Sequence, residues 1–171
     1  DVAERFNNRY GETFVMPSAA VPSAGARVMD LQEPTNKMSK SADSDTGTVM
    51  LSEDLGSVAK KFKRAVTDSD GEVRFDPVAK PGVSNLLSIL GACTGIEPAA
   101  LADDYTQYGP LKSATAEAVV ELLRPIQERM AELKADPAGT SELLRIGADK
   151  ARTVAATVTE RARTNIGMLP R

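Results

Sequence analysis

Lys37-Met38-Ser39-Lys40-Ser41 sits inside Asn36 to Gly47, a run with almost no hydrophobic side chain to bury. A stretch that cannot join a core runs over the surface as a loop, where its backbone groups reach water. Two ammonium groups separated by two residues, with two hydroxyls beside them, form a clamp for a phosphate chain: point charges for the anionic oxygens and hydroxyl donors for the rest. Taken alone, the same residues also spell a solvated lysine-rich loop.

The flanks separate these readings. Gly25-Ala26-Arg27-Val28-Met29-Asp30-Leu31-Gln32-Glu33-Pro34-Thr35 leads into the loop, and Ala65-Val66-Thr67-Asp68-Ser69-Asp70 and Lys80-Pro81-Gly82-Val83-Ser84-Asn85-Leu86-Leu87 follow it. The loop resembles the KMSKS signature of class I aminoacyl-tRNA synthetases. With these flanks the chain, from Asp1 to the Gly167-Met168-Leu169 end, resembles the tryptophanyl-tRNA synthetases. The resemblance implies ATP-dependent attachment of tryptophan to tRNA(Trp) through a tryptophanyl-adenylate, with ATP and Mg2+ as the substrate complex and no protein-bound metal. It implies that Lys40 follows charge onto the leaving pyrophosphate and that Lys37 steadies the loop or the phosphates at longer range. Ser39 and Ser41 add hydroxyl donors, while Val28 and Met38 contact the adenine, partly through backbone groups. On the residues alone Val28 and Met38 are also candidates for core packing, though Met38 has no hydrophobic neighbour in its loop. The sister tyrosine enzyme, and a non-catalytic helical RNA-binding module that keeps the loop as a relic, are the alternatives.

A chain of 171 residues can bury roughly 70% of its unfolded surface, so core size is no limitation. Lys+Arg 21 against Asp+Glu 24 excludes holding RNA by bulk charge and requires local basic patches. The one cysteine, Cys93, lies in an apolar helical stretch and reads as a buried core thiol, which suits a reducing compartment. No run of about 18 apolar residues and no charged-then-apolar leader is present, so no membrane contact is expected and the protein reads as cytoplasmic. Histidine is absent, whereas the resembling family carries a second, histidine-containing signature near its start. The expectation is therefore a C-terminal portion of a longer, homodimeric enzyme, with tryptophan and most of ATP bound by the missing upstream portion and this chain inactive alone.

In order, Val2, Phe6 and Tyr10 fall on helical spacing and Gly11 stops the helix; residues 13–22, with two prolines, run extended. Arg27-Val28-Met29 reads as a short strand feeding the loop. Ser52 is expected to cap a helix that buries Leu55, Val58, Ala59, Phe62 and Val66 and shows Lys60, Lys61, Lys63 and Arg64 to solvent or to RNA phosphates. Val73 and Phe75 alternate as a strand. Pro81 starts a helix buried along Val83, Leu86, Leu87 and Leu90 and closed by Gly95, in which Ser84 and Asn85 show no chemistry. Pro98 opens a shorter helix, and Tyr105 to Pro110 is a loop whose tyrosines either pack or stack a base. Two long helices, from Ser113 to Lys134 and from Ser141 to Ile166, pair as an antiparallel hairpin across 136–139, the second along a stripe of small residues; residues 141–171 are locally basic. The expected fold is mainly α. Residues 1–51 would be the C-terminal remnant of an α/β Rossmann-type nucleotide-binding catalytic domain with the clamp loop, and 52–171 a helical tRNA anticodon-binding domain.

Overall fold

The computed structural model describes residues 1–22, 25–41 and 44–168. The loop polarity ascribed to Ala42 and Asp43 and the charge of Arg171 lie outside the described residues, as does Leu169. The described residues form helices α1 (Val2–Tyr10), α2 (Leu55–Lys63), α3 (Pro81–Thr94), α4 (Pro98–Ala102), α5 (Tyr108–Ala135) and α6 (Pro137–Asn165). The fold is mainly α, as the sequence predicts, with no strand longer than one bridge among these residues. The chain divides into two compact units, Val21–Ala131 and Asp1–Ala20 with Glu132–Arg171.

In the larger unit, α3 is enclosed on nearly every side. Gly82 through Leu87 and Ile89 through Gly91 are buried, which a helix tolerates when small residues complete its leucine stripe. Pro81 opens it at a position whose amide would be unpaired anyway. Gly95 closes it in the left-handed region at φ 76°, donating its N–H to Gly91 O. Val58 and Phe62 of α2, Leu101 and Ala102 of α4, and Leu111, Ala116, Val119 and Leu123 of α5 share one hydrophobic core with α3. Gly82 is required by contact: a Cβ there would meet Val66 O at 2.2 Å.

Several boundaries differ from expectation. Asp54, not Ser52, caps α2, accepting from Ser57 N–H at 2.8 Å. Val66 lies beyond the end of α2 and is exposed. Helix α5 starts at Tyr108 instead of Ser113, because Pro110 falls in the first turn, where a missing amide costs nothing. Its buried stripe is displaced accordingly toward Leu111 and Thr115, while Leu122 and Ile126 are exposed. Helix α6 starts at Pro137, capped by Asp136 through Gly139 N–H at 2.9 Å, so the expected four-residue connection shrinks to Asp136. No residue of α6 is buried. The small-residue stripe is therefore not a close helix seam: Leu144 is 70% and Val154 78% exposed. Among the described residues the Val73–Phe75 strand does not form; Arg74 engages Glu72 and Asp76, and Val73 packs against the core.

In the smaller unit, Phe6 of α1 packs on Tyr10 and Phe14 with ring centroids 5.0 and 4.9 Å apart. Asn7 bonds the backbone of Thr13 and Phe14. Thr13, 1% exposed, is held from α6 by Arg161 on its carbonyl and Asn165 on its hydroxyl.

The polar centre of the larger unit is Lys80, 1% exposed. Its Nζ donates to Asp68 Oδ1 at 3.0 Å, to Asp70 Oδ1, and to the Tyr108 hydroxyl at 3.0 Å. That hydroxyl also lies within bonding reach of Asp68 Oδ1, of Asp70 Oδ1 at 2.9 Å and of Glu72 O at 3.1 Å. A buried ammonium is tolerable only with such partners. Hydrogen bonding to Lys80 holds the Asp70 carboxyl well below the usual carboxylate range. Burial lowers the Lys80 ammonium, but the bonds to Asp70, Tyr108 and Asp68 outweigh it and hold it above its ordinary value. Burial and then the Asp68 carboxylate push the Tyr108 phenol up to about 12. Of the two expectations for Tyr108, packing is the one found.

A raised phenol binds its proton more tightly in the folded chain than in the unfolded one. Its contribution is fully present below the unfolded value of about 10 and is lost as pH rises through the folded value of about 12, so stability falls across that window. Tyr108→Phe should flatten this part of the alkaline limb of a thermal-melt series. An unaltered limb would contradict the hub described here.

Candidate active site

The clamp loop hangs from residues 28–31, an extended segment that pairs its backbone groups with different parts of the chain. Met38 N–H donates to Val28 O at 3.1 Å and Asp30 N–H to Asn36 O at 2.9 Å, making the antiparallel bridge Met29↔Lys37. Leu31 N–H donates to Gly47 O at 2.9 Å, and Leu31 O accepts from Val66 N–H at 2.7 Å. The strand expected at Arg27-Val28-Met29 is thus a single bridge, with side chains and turns in place of sheet neighbours. Both polar atoms of the Asn85 side chain engage Met29: Oδ1 accepts its N–H at 3.0 Å and Nδ2 donates to its carbonyl at 2.9 Å.

Between the two sides of the bridge, Glu33-Pro34-Thr35-Asn36 makes a tight turn, with Asn36 N–H on Glu33 O at 2.8 Å and proline at its second position. Asp30 Oδ1 caps this turn through the N–H groups of Gln32 and Glu33, at 2.8 and 3.0 Å. Gly47 lies against that carboxylate, so closely that a Cβ would meet Asp30 Oδ1 at 1.7 Å. Gly25, at φ 72°, adopts a backbone that favours glycine, and a Cβ there would also crowd Ala92.

Lys37, Ser39, Lys40 and Ser41 are all exposed. The hydroxyls of Ser39 and Ser41 are 3.1 Å apart, and Ser39 O is held by the buried Thr48 through its hydroxyl at 3.1 Å. Val28 and Met38 are partly buried against the core; the Met38 side chain leaves its polar loop to pack there. Lys37 lines a cleft of about 380 Å³ with Gln32, Asn36, Ser44 and Thr46. Lys40, Ser39 and Ser41 stand outside that wall. A second cleft, of about 500 Å³, shares Gln32 and Thr46 and carries Lys60, Lys61 and Arg64 of the α2 region. Lys61 is committed internally, to Glu53 at 2.8 Å and to Thr48 O at 2.8 Å. Cys93 is partly buried against the core, and burial pushes its thiol up, which makes it a poor nucleophile. Among the described residues no group of side chains is arranged to hold a metal ion, and no helix is long and apolar enough to cross a membrane.

This arrangement, an exposed two-lysine loop on a pinned extended segment beside a buried helix, coincides with a match of residues 1–124 to the family described as tRNA synthetases class I (W and Y). The chain belongs to that family. It is 54% identical over 170 residues to tryptophan–tRNA ligase 1 of Streptomyces coelicolor, covering 99% of this chain and 51% of that protein. To the tryptophan–tRNA ligase of Mycobacterium leprae it is 46% identical, again over 99% of this chain and 50% of the relative. Among solved structures, tryptophanyl-tRNA synthetase from Mycoplasma pneumoniae superposes with a TM-score of 0.87 at 28% identity, over 98% of this chain and 51% of that one. The chain thus spans about half the length of the relatives it matches, their C-terminal portion.

Sequence reasoning picked out the loop and missed its supports. Lys80, Asn85 and Tyr108 all lie well beyond the loop in the chain, and only folding brings Asn85 to Met29. One signal was available for Asn85: an amide flanked by Val83, Leu86 and Leu87 in a helix must find partners or cost stability.

Gly47→Ala should force the Asp30 carboxylate off its cap and release the N–H groups of Gln32 and Glu33. The expected loss is about 1–3 kcal/mol, read as faster amide exchange at Gln32 and Glu33; unaltered protection at both would refute the cap assignment.

Proposed function

We propose that this chain supplies the pyrophosphate clamp and tRNA-contacting helices of an enzyme that attaches tryptophan to tRNA(Trp) through a tryptophanyl-adenylate. The observation that carries the reading is the exposed Lys37 and Lys40 pair on a loop whose two ends are tied to residues 28–31, together with the family. Residues 1–51 belong on this reading to the nucleotide-binding catalytic domain and 52–171 to the helical anticodon-binding domain. Tryptophan and most of ATP, as its Mg2+ complex, are held by an upstream portion, the whole enzyme is a homodimer, and this chain alone does not form the adenylate.

A tryptophan carboxylate oxygen attacks the α-phosphorus of ATP in line, and the bond to the pyrophosphate oxygen breaks. Negative charge grows on the leaving pyrophosphate, where an ammonium stabilises the transition state more than the ground state. Lys40 is given that role, with Lys37 placing the β- and γ-phosphates and Ser39 and Ser41 donating from their hydroxyls. Val28 and Met38 contact the adenine edge on this reading, partly through the backbone groups that their mutual hydrogen bond leaves over. Nothing covalent is asked of the protein; its part is position and charge. The loop suits this, because its ends are fixed while Lys37, Ser39, Lys40 and Ser41 are exposed to a ligand.

In the full-length enzyme, Lys40→Ala should slow tryptophan-dependent pyrophosphate exchange by about 10²–10³ with little change in tryptophan affinity. An exchange rate equal to the unsubstituted enzyme would remove Lys40 from the mechanism.

A further inference from the structure

We propose that Asn85 is a positioning residue for the clamp, holding the base of the loop in register by standing in for a missing strand beside Met29. The inference rests on the functional reading above for its catalytic consequence, and on geometry alone for its structural part.

In an antiparallel bridge of the kind Met29 makes with Lys37, the bonds are made by the flanking residues, and the bridged residue turns its own N–H and C=O to the other edge. The bonds observed are those flanking ones, Met38 to Val28 and Asp30 to Asn36. Met29 therefore faces away from the loop with both backbone groups open. In a sheet the next strand would take them; here α3 lies there, a helix whose own backbone is already paired. Asn85, 4% exposed, meets both groups with one side chain, acceptor to donor at 3.0 Å and donor to acceptor at 2.9 Å. A primary amide is the smallest side chain with a donor and an acceptor on one planar group. Leucine has the same number of side-chain heavy atoms and satisfies neither.

The anchor is also rigid. Helix α3 is packed on nearly all faces, and Lys80, at its N-cap, is fixed by Asp68, Asp70 and Tyr108. A site is held to a few tenths of an ångström only when its supports are themselves locked. Beside this contact a cleft of about 400 Å³ opens between Arg27, Thr35, Pro77 and Ser88. Water can enter there and bond Met29 when Asn85 is replaced, so the expected consequence is a loosened segment and not a collapsed core. Loosening Met29 frees Lys37 across the bridge, and with it the register of the lysines against the phosphates.

Asn85→Leu and the smaller Asn85→Thr, which keeps a single hydroxyl, test this in two arms. In the first, amide exchange is followed on the chain itself: Met29, Asp30 and Met38 should lose protection in both variants while Val58 and Phe62 of α2 keep theirs. Unchanged protection at those three amides in a folded variant overturns the inference, and so does uniform loss that includes α2, which marks a merely structural residue. In the second, full-length enzyme is assayed by pyrophosphate exchange. The expected result is a fall of about 10- to 100-fold in kcat/KM for ATP with the KM for tryptophan unmoved, Thr retaining more than Leu. Wild-type kinetics in either variant overturn the positioning role. Should the unsubstituted full-length enzyme show no tryptophan-dependent exchange, the functional reading fails and the amide-exchange arm still decides the geometry. If the leucine variant does not fold, the threonine variant carries both arms.

Discussion

Extended backbone outside a sheet must still pair its amides and carbonyls, because a buried unpaired group costs about as much as a lost hydrogen bond. Residues 28–31 meet this constraint by recruiting contacts from the loop, the turn, the segment after α2 and the helix α3. Much of the larger unit follows from it. Gly47 has to be small because the Asp30 carboxylate occupies its Cβ position. Gly82 has to be small because Val66, which bonds Leu31, presses its carbonyl on α3. Asn85 has to be an amide although its neighbours are leucines.

What could be read from the sequence divides along the range of the interactions. Helix α3 was legible at both ends, since proline at the start and glycine at the stop act through the local backbone. The clamp loop was legible because polarity without hydrophobic spacing leaves a segment no core to join. The ends of α2, α5 and α6 were less so. Each start depends on which of several polar residues finds an amide, Asp54 over Ser52 and Asp136 over Ser141, and proline at 110 or 137 reads as a break as easily as a first turn. The supports of the loop were least legible. Asn85 and Lys80 acquire their roles from partners that periodicity does not reveal, and the missing Val73–Phe75 strand is the same failure inverted, an alternating pattern that pairs with no strand among the described residues.

Helix α6 shows how far stability can depart from burial. It has no buried residue, yet its 29 residues exceed the length of roughly 12–15 below which an isolated helix is marginal. The cap at Asp136 adds roughly 1 kcal/mol, whereas the exposed ion pairs of Arg145 with Glu142 and Asp149, and of Arg152 with Asp149, add little in water. Arg145 and Arg152 are thereby paired within the helix, so a high local count of arginine overstates the charge presented to RNA.

The same reasoning, applied to the lysines, separates charge committed inside the fold from charge left exposed. Lys80 is enclosed by two aspartates and a phenol, and Lys61 by Glu53 and a carbonyl; neither ammonium has capacity left for a ligand. Lys37 and Lys40 are exposed and, among the described residues, make no ion pair, although Asp30 and Glu33 share a cleft wall with Lys37. Those two carboxylates are turned to other tasks, Asp30 to the turn amides and Glu33 to the Asn36 side chain at 2.7 Å. A phosphate clamp needs cations that the fold has left unneutralised, held by backbone that the fold has fully paired. At residues 28–31 and Lys37 the proposed clamp meets both requirements, because Asp30 and Glu33 bond amides instead of the lysine.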